Sequence, residues 1–141
     1  MPIQHSHDAM LKSMRRKTSQ AQIENTIETL RQRLPGMHIR TSLMVGFPGE
    51  TETEFEHLLE FVQRQKLENV GVFKYSDEQL AHSSRLRNHV PEDVKEDRYH
   101  RLMEAQRQIC KERNQQMVDS KKQLDVVVEG MVNDNIVGRY Y

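Results

Sequence analysis

Between Ile39 and Thr51 the chain reads IRTSLMVGFPGET. Ile39 to Val45 reads as a strand, and its run Ser42 to Val45 is apolar without clean alternation, as expected for a strand covered on both faces. Gly46 to Glu50 reads as a loop. Thr51, with Glu54 three residues later, forms a capping box, after which Phe55, Leu58, Leu59 and Val62 fall on one helical face. A buried strand, a Gly-Pro loop and a capped helix make one unit of a parallel α/β sheet. The loop then sits at the carboxyl end of the strand, where such folds place their ligand sites.

The same alternation runs along the chain. Residues 1–5 read as the last residues of a strand, so the chain is expected to open inside a domain. A short helix is predicted over 6–17, with Ala9, Met10 and Met14 on one side. Ser19 and Gln22 form another capping box before a helix bearing Ile23, Ile27, Leu30 and Leu34, which Pro35-Gly36 stops. Asn69 to Tyr75 reads as a strand and Ser76 to His89 as a polar loop. Pro91, in a first turn where its missing amide costs nothing, opens a long helix to about Asp119. Val94, Leu102, Met103, Ile109, Cys110 and Met117 mark parts of its buried side. Strands are predicted over Gln123 to Glu129 and Ile136 to Tyr141, with a turn over Met131 to Asn135. These last twenty or so residues are too few to form a core alone.

Basic and acidic residues balance at 21 each, so net charge supplies no reason for tight nucleic-acid binding. No apolar run approaches the roughly 20 residues of a membrane span, and no secretory signal is visible; cytoplasm is the expected compartment. Cys110 is the single cysteine, which excludes an internal disulfide and a Cys-rich metal site. His5, Ser6 and His7 are read as pocket rim with no metal, since two histidines two apart at a strand end share no helical face. Cys110, mid-helix among apolar residues, is read as packed core.

The glycines of Gly46-Phe47-Pro48-Gly49-Glu50 let backbone approach a flat or charged ligand without a Cβ in the way, and Pro48 stiffens the loop. A tight strand-to-helix turn with no ligand accounts for the same residues. No phosphate-loop motif is present.

The segment IRTSLMVGFPGET resembles the fifth-strand region of the radical S-adenosylmethionine (SAM) methylthiotransferases, whose VGFPGE loop lines the cofactor pocket. Pro2-Ile3-Gln4-His5 and Met10-Leu11-Lys12-x-Met14-Arg15-Arg16 resemble that family's fourth strand and following helix. Val70 to Ser76 resembles its sixth strand, and Arg98-Tyr99-x-Arg101-Leu102-Met103 with Arg113-Asn114 its connector helix. Leu124 to Arg139 resembles the opening of its TRAM domain, a small β-barrel. The resemblance spans essentially the whole chain and implies an α/β fold: residues 1–119 as the carboxy-terminal half of a radical-SAM partial (β/α) barrel, residues 120–141 as the incomplete start of TRAM. It departs at Leu80-Ala81, near where the family usually carries Gly-Thr.

The resemblance implies S-adenosylmethionine as cofactor. Gln4, His5, Arg40, Thr41, Val45, Gly46, Phe47, Pro48, Gly49, Glu50 and Tyr75 would line its pocket. Arg40 is open between a carboxylate partner and a surface ion pair. Glu50 is open between a cofactor contact and helix-terminus support, and Tyr75 between lining the cavity and plain packing. Lys121, Lys122 and Arg139 are open between a partner surface and solvated charge. Three features point to the branch that modifies an aspartate of a small-subunit ribosomal protein rather than tRNA adenosine: Pro-x-Gln-His at the start, Arg40-Thr41, and Asp77-Glu78 after Tyr75-Ser76. Alternatives are the tRNA branch, with a nucleic-acid partner, and a non-catalytic binding module of radical-SAM descent.

The family's 4Fe-4S cluster is held by a C-x-x-x-C-x-x-C motif that this chain lacks, so no catalytic residue is expected within it and the cluster ligands are expected in a preceding amino-terminal part. The chain alone is therefore expected to be inactive. Reconstitution with iron and sulfide should give no cluster absorption band and no SAM cleavage; either signal would overturn the expectation. A half barrel with open edges is also expected to aggregate or dimerise.

Overall fold

In the computed structural model, residues 2–78, 81–121, 123 and 125–140 are described. The expectations placed on Leu80, Lys122, Leu124 and Tyr141 lie outside them. The chain divides into two compact units, residues 1–110 and 111–141.

The first unit is built on a parallel strand pair. β1 (Arg40–Val45) runs beside β2 (Asn69–Lys74), with Arg40 opposite Asn69 and Val45 opposite Lys74. Gln4 adds a parallel bridge on the other side of β1. Its amide donates to the Ser42 carbonyl at 2.9 Å, and its carbonyl accepts from the Met44 amide at 2.8 Å. The expected strand end at residues 1–5 is thus present as one bridge. Three helices pack on this framework: α1 (Asp8–Ser13), α2 (Gln20–Arg33) and α3 (Glu52–Gln65). The fourth, α4 (Glu92–Asp119), is the long predicted helix.

α1 is shorter than expected, because Arg15 takes a left-handed φ of 56° and turns the chain out of the helix. α2 starts where its capping box predicts: Ser19 Oγ accepts from the Gln22 amide at 3.3 Å, and Gln22 Oε1 accepts from the Ser19 amide at 2.9 Å. α3 begins after Thr51, whose amide and hydroxyl both donate to the Glu54 carboxylate. A 3₁₀ turn at His82–Arg85 sits inside the segment expected to be loop.

The strands alternate once folded. Thr41, Leu43 and Val45 face the core with Val70 and Val72, whereas Arg40, Ser42, Gly71 and Phe73 face away from it. The core joins them to Ile23, Ile27, Phe55, Leu58, Phe61, Val62 and, from α4, Leu102 and Ile109. Burying side chains of this size is worth about 1.5–3 kcal/mol each relative to exposure. The covered stripe of α4 holds two polar residues as well, Arg98 and Gln106, spaced at helical intervals from Leu102. Cys110 is half-buried at the stripe's edge, where its sulfur lies 3.3 Å from Gln106 Nε2.

The second unit contains an antiparallel hairpin, β3 (Val126–Val132) with β4 (Asn135–Tyr140). Asn133 and Asp134 turn it with φ of 49° and 61°, the left-handed pair that a two-residue hairpin turn requires. The strands sit slightly off the predicted positions because this turn sets the register. Val126, Val127, Val128, Met131, Val132 and Ile136 are exposed. No helix among the described residues is long and apolar enough to cross a membrane.

Candidate functional site: the loop at the carboxyl end of β1

Gly46 to Glu50 leaves β1 at its carboxyl end, as expected. Gly46 and Gly49 take φ of 74° and 87°, backbone that other residues rarely adopt. The loop closes on itself around Glu50, whose side chain is wholly buried. Glu50 Oε2 accepts from the Gly46 amide at 2.5 Å and from Arg98 Nη1 at 2.9 Å; Arg98 Nη1 also donates to the Glu50 carbonyl at 3.1 Å. Glu50 Oε1 lies 3.2 Å from His5 Nε2.

The tautomer of His5 follows from its other nitrogen. His5 Nδ1 accepts from the His7 amide at 3.0 Å, so a neutral ring carries its proton on Nε2 and donates it to Glu50. Glu50 therefore ties three separate segments together: the chain before α1, the loop after β1, and α4. A charge so deeply buried requires paired, hydrogen-bonded partners. Arg98 Nη2 continues to Glu52 at 3.2 Å, and Arg101 also donates to Glu52, at 2.7 Å. Chiefly through the Arg101 hydrogen bond, with Arg98 second among the favourable contacts, the Glu52 carboxyl is held below the usual range.

Two more contacts hold the loop. The Gly49 amide donates to the Asn88 carbonyl at 2.9 Å. The Lys95 stem lies against Gly46, where an added Cβ would come within 2.3 Å of Lys95 Cγ. With the Glu50 amide bonded to the Phe47 carbonyl, the amides of Gly46, Gly49 and Glu50 are all engaged internally.

Beside the loop lies a second apolar cluster. Met10, Phe47 and Tyr75 are buried together, with Met14, Met44 and Leu86 packed against them. Phe47 and Tyr75 meet edge to face at 5.3 Å. Lys95 Nζ stands 5.6 Å over the Tyr75 ring, and the Tyr75 hydroxyl donates to Asp77 at 3.3 Å.

The fold thus gathers Gln4, His5, Val45, Gly46, Phe47, Pro48, Gly49, Glu50 and Tyr75 at one end of the sheet. It does not bring Arg40 and Thr41 there. They stand at the amino end of β1, about 16 Å away at roughly 3.3 Å per strand residue. Arg40 is exposed, while the Thr41 hydroxyl is buried and accepts from the Ile3 amide at 3.2 Å. Sequence reasoning missed the site roles of Arg98, Lys95 and Asn88. Arg98 alone had a signal, its place one turn before Leu102 on the buried stripe. It also missed His57, whose Nδ1 lies 3.0 Å from Ser6 Oγ; burial first, then nearby His7 and His5, lowers the His57 pKa. Among the described residues no group of His, Cys, Asp and Glu is arranged to hold a metal.

An α/β unit with a glycine-rich loop at the carboxyl end of a parallel strand is the architecture of a ligand-binding α/β domain, and residues 1–62 match the model of the Radical SAM superfamily. Among curated proteins the chain is similar to ribosomal protein uS12 methylthiotransferase RimO. Identity is 51% over 130 residues with that of Protochlamydia amoebophila, covering 92% of this chain and 27% of the relative. It is 45% over 141 residues with that of Thermoanaerobacter sp. (100% and 32%) and 42% over 144 residues with that of Bdellovibrio bacteriovorus (100% and 31%). The resemblance to radical-SAM methylthiotransferases therefore holds, and it falls on the RimO type. The chain spans about a third or less of the length of these relatives.

Proposed function

We propose that this chain is part of a methylthiotransferase that modifies an aspartate of ribosomal protein uS12, and that it supplies one wall of the S-adenosylmethionine pocket. What supports this most is the similarity to RimO along nearly the whole chain, with the Gly46 to Glu50 loop within it. In this reading residues 1–119 are the carboxy-terminal half of a radical-SAM partial (β/α) barrel, and residues 120–141 open a TRAM β-barrel. The cytoplasm is its compartment.

The residues present suit S-adenosylmethionine. Phe47, Tyr75 and the neighbouring methionines offer a flat apolar wall for an adenine ring. Because the Gly46 and Gly49 amides are engaged, the loop would hold the cofactor through its backbone carbonyls, which can accept from an amine. Bound there, S-adenosylmethionine is the source of the radical that this chemistry needs. Glu50, His5 and Arg98 act behind the loop by fixing its shape; Arg40 and Thr41 stand at the other end of β1, where the Thr41 hydroxyl is taken up by the Ile3 amide. The residues present do not suit a 4Fe-4S cluster. Cys110 is one thiol on α4, hydrogen-bonded to Gln106, whereas such clusters take several thiolates. Binding and orienting the cofactor is therefore the whole part assigned to these residues.

The substrate is tested in a strain lacking the gene. Mass spectrometry should find uS12 without its methylthio group and tRNA methylthiolation intact. Loss of the tRNA modification with uS12 unchanged would overturn the reading in favour of the tRNA branch.

A further inference from the structure

Several cations of the first unit are paired with carboxylates. Lys74 pairs with Glu92 and Glu96, Arg98 with Glu50 and Glu52, Arg101 with Glu52 and Glu56, and Arg64 with Glu24. Arg33 stands unpaired at the end of α2 among the described residues, but six others gather in one place. Lys12, Arg15, Arg16, Lys17, Arg85 and Arg87 are all exposed, and their side chains make no ion pair or hydrogen bond among the described residues. The first four end α1 and follow it; the last two flank Leu86. Met14 and Leu86 both pack on the Met10, Phe47 and Tyr75 cluster. The two basic runs therefore emerge around one apolar floor, beside the Gly46 to Glu50 loop. Acidic groups nearby are fewer: Asp8, Asp77 and Glu78 stand against the six cations.

The balanced total charge hides this local excess, since a sum over the chain says nothing of where the charges stand. Four of the six are arginines, whose planar fork suits phosphate oxygens. A ribosomal protein binds RNA through its own cations, so a cationic rim around the site would repel it as a free chain. RNA phosphates between the two surfaces remove that repulsion. We propose that this rim docks the phosphate backbone of RNA carried by the substrate, so that the acceptor protein is presented as a ribonucleoprotein. The proposal rests on the ribosomal-protein reading above.

The full chain is titrated against a fluorescein-labelled RNA hairpin by fluorescence anisotropy, with polyglutamate as competitor. If four to five phosphates are contacted, affinity should fall roughly 10²-fold between about 50 and 200 mM salt. Lys12→Gln/Arg16→Gln and Arg85→Gln/Arg87→Gln should each weaken binding and lower the salt slope by about two, one for each cation removed. These positions are exposed, and circular dichroism should show both variants folded. Arg33→Ala, also exposed and unpaired among the described residues but at the carboxyl end of α2, should change nothing. Absence of RNA binding at low salt, an unchanged slope in both double variants, an equal effect of Arg33→Ala, or displacement of RNA by equimolar polyglutamate would each overturn the proposal; the last would assign the rim to acidic protein instead. These outcomes are separate from those of the function itself. Loss of tRNA methylthiolation in the deletion strain overturns the function and leaves the RNA titration standing, whereas failed RNA binding with uS12 modification intact overturns only the rim.

Discussion

Arg98→Met should cost about 3–5 kcal/mol of folding free energy, the usual result of removing one partner from a buried ion pair. The Glu50 side chain is fully buried, and among the described residues Arg98 is its only cationic side-chain partner other than a protonated His5. Methionine fills much of the space of the arginine stem, so the loss is electrostatic rather than a cavity. Arg98→Lys should fall between the two, because one ammonium cannot serve Glu50 and Glu52 in the forked geometry now seen. In Glu50→Gln/Arg98→Met most of the lost stability should return, since no charge is then left buried without a partner. Urea unfolding of the four chains checks this. If the single and double variants unfold alike, Glu50 is not held by Arg98 in the way described.

Gly46→Ala should lower stability and distort the loop for two separable reasons. Its φ of 74° is left-handed, which costs a residue with a Cβ about 1–2 kcal/mol. The new Cβ also meets the Lys95 stem at 2.3 Å, and forcing an atom into filled space costs about 1–3 kcal/mol. Adding Lys95→Ala should recover the second cost and leave the first. Gly71→Ala is the control: its Cβ would make an ordinary contact with Phe73 at 3.6 Å and should be nearly neutral. Thermal unfolding, with equilibrium dialysis of S-adenosylmethionine, reads both consequences. If Gly46→Ala matches Gly71→Ala in both measurements, neither the φ nor the Lys95 contact constrains the loop.

Much of this protein follows from local sequence. The capping boxes at Ser19 and Thr51, the stop at Pro35-Gly36 and the apolar spacing of Ile23 with Ile27 depend on neighbours a few residues apart, so chain order alone discloses them. The loop after β1 is legible for the same reason, because glycine, proline and glutamate in that order prescribe its turn and its cap. Other features turn on contacts far apart in the chain. The site separates into near and distant halves only because β1 is extended, which carries Arg40 and Thr41 to the end opposite Gly46. Glu50 reads in sequence as helix-terminus support or cofactor contact. Its role as a buried hub depends on His5, 45 positions before it, and Arg98, 48 after it. The unneutralised rim is likewise invisible to a net charge of zero. By itself, then, the sequence determined the elements, the glycine loop and the family resemblance, all encoded by short-range patterns. Tertiary structure alone decided which charges are paired and which parts of the predicted pocket share one end of the sheet, because both depend on distances that folding sets between remote residues.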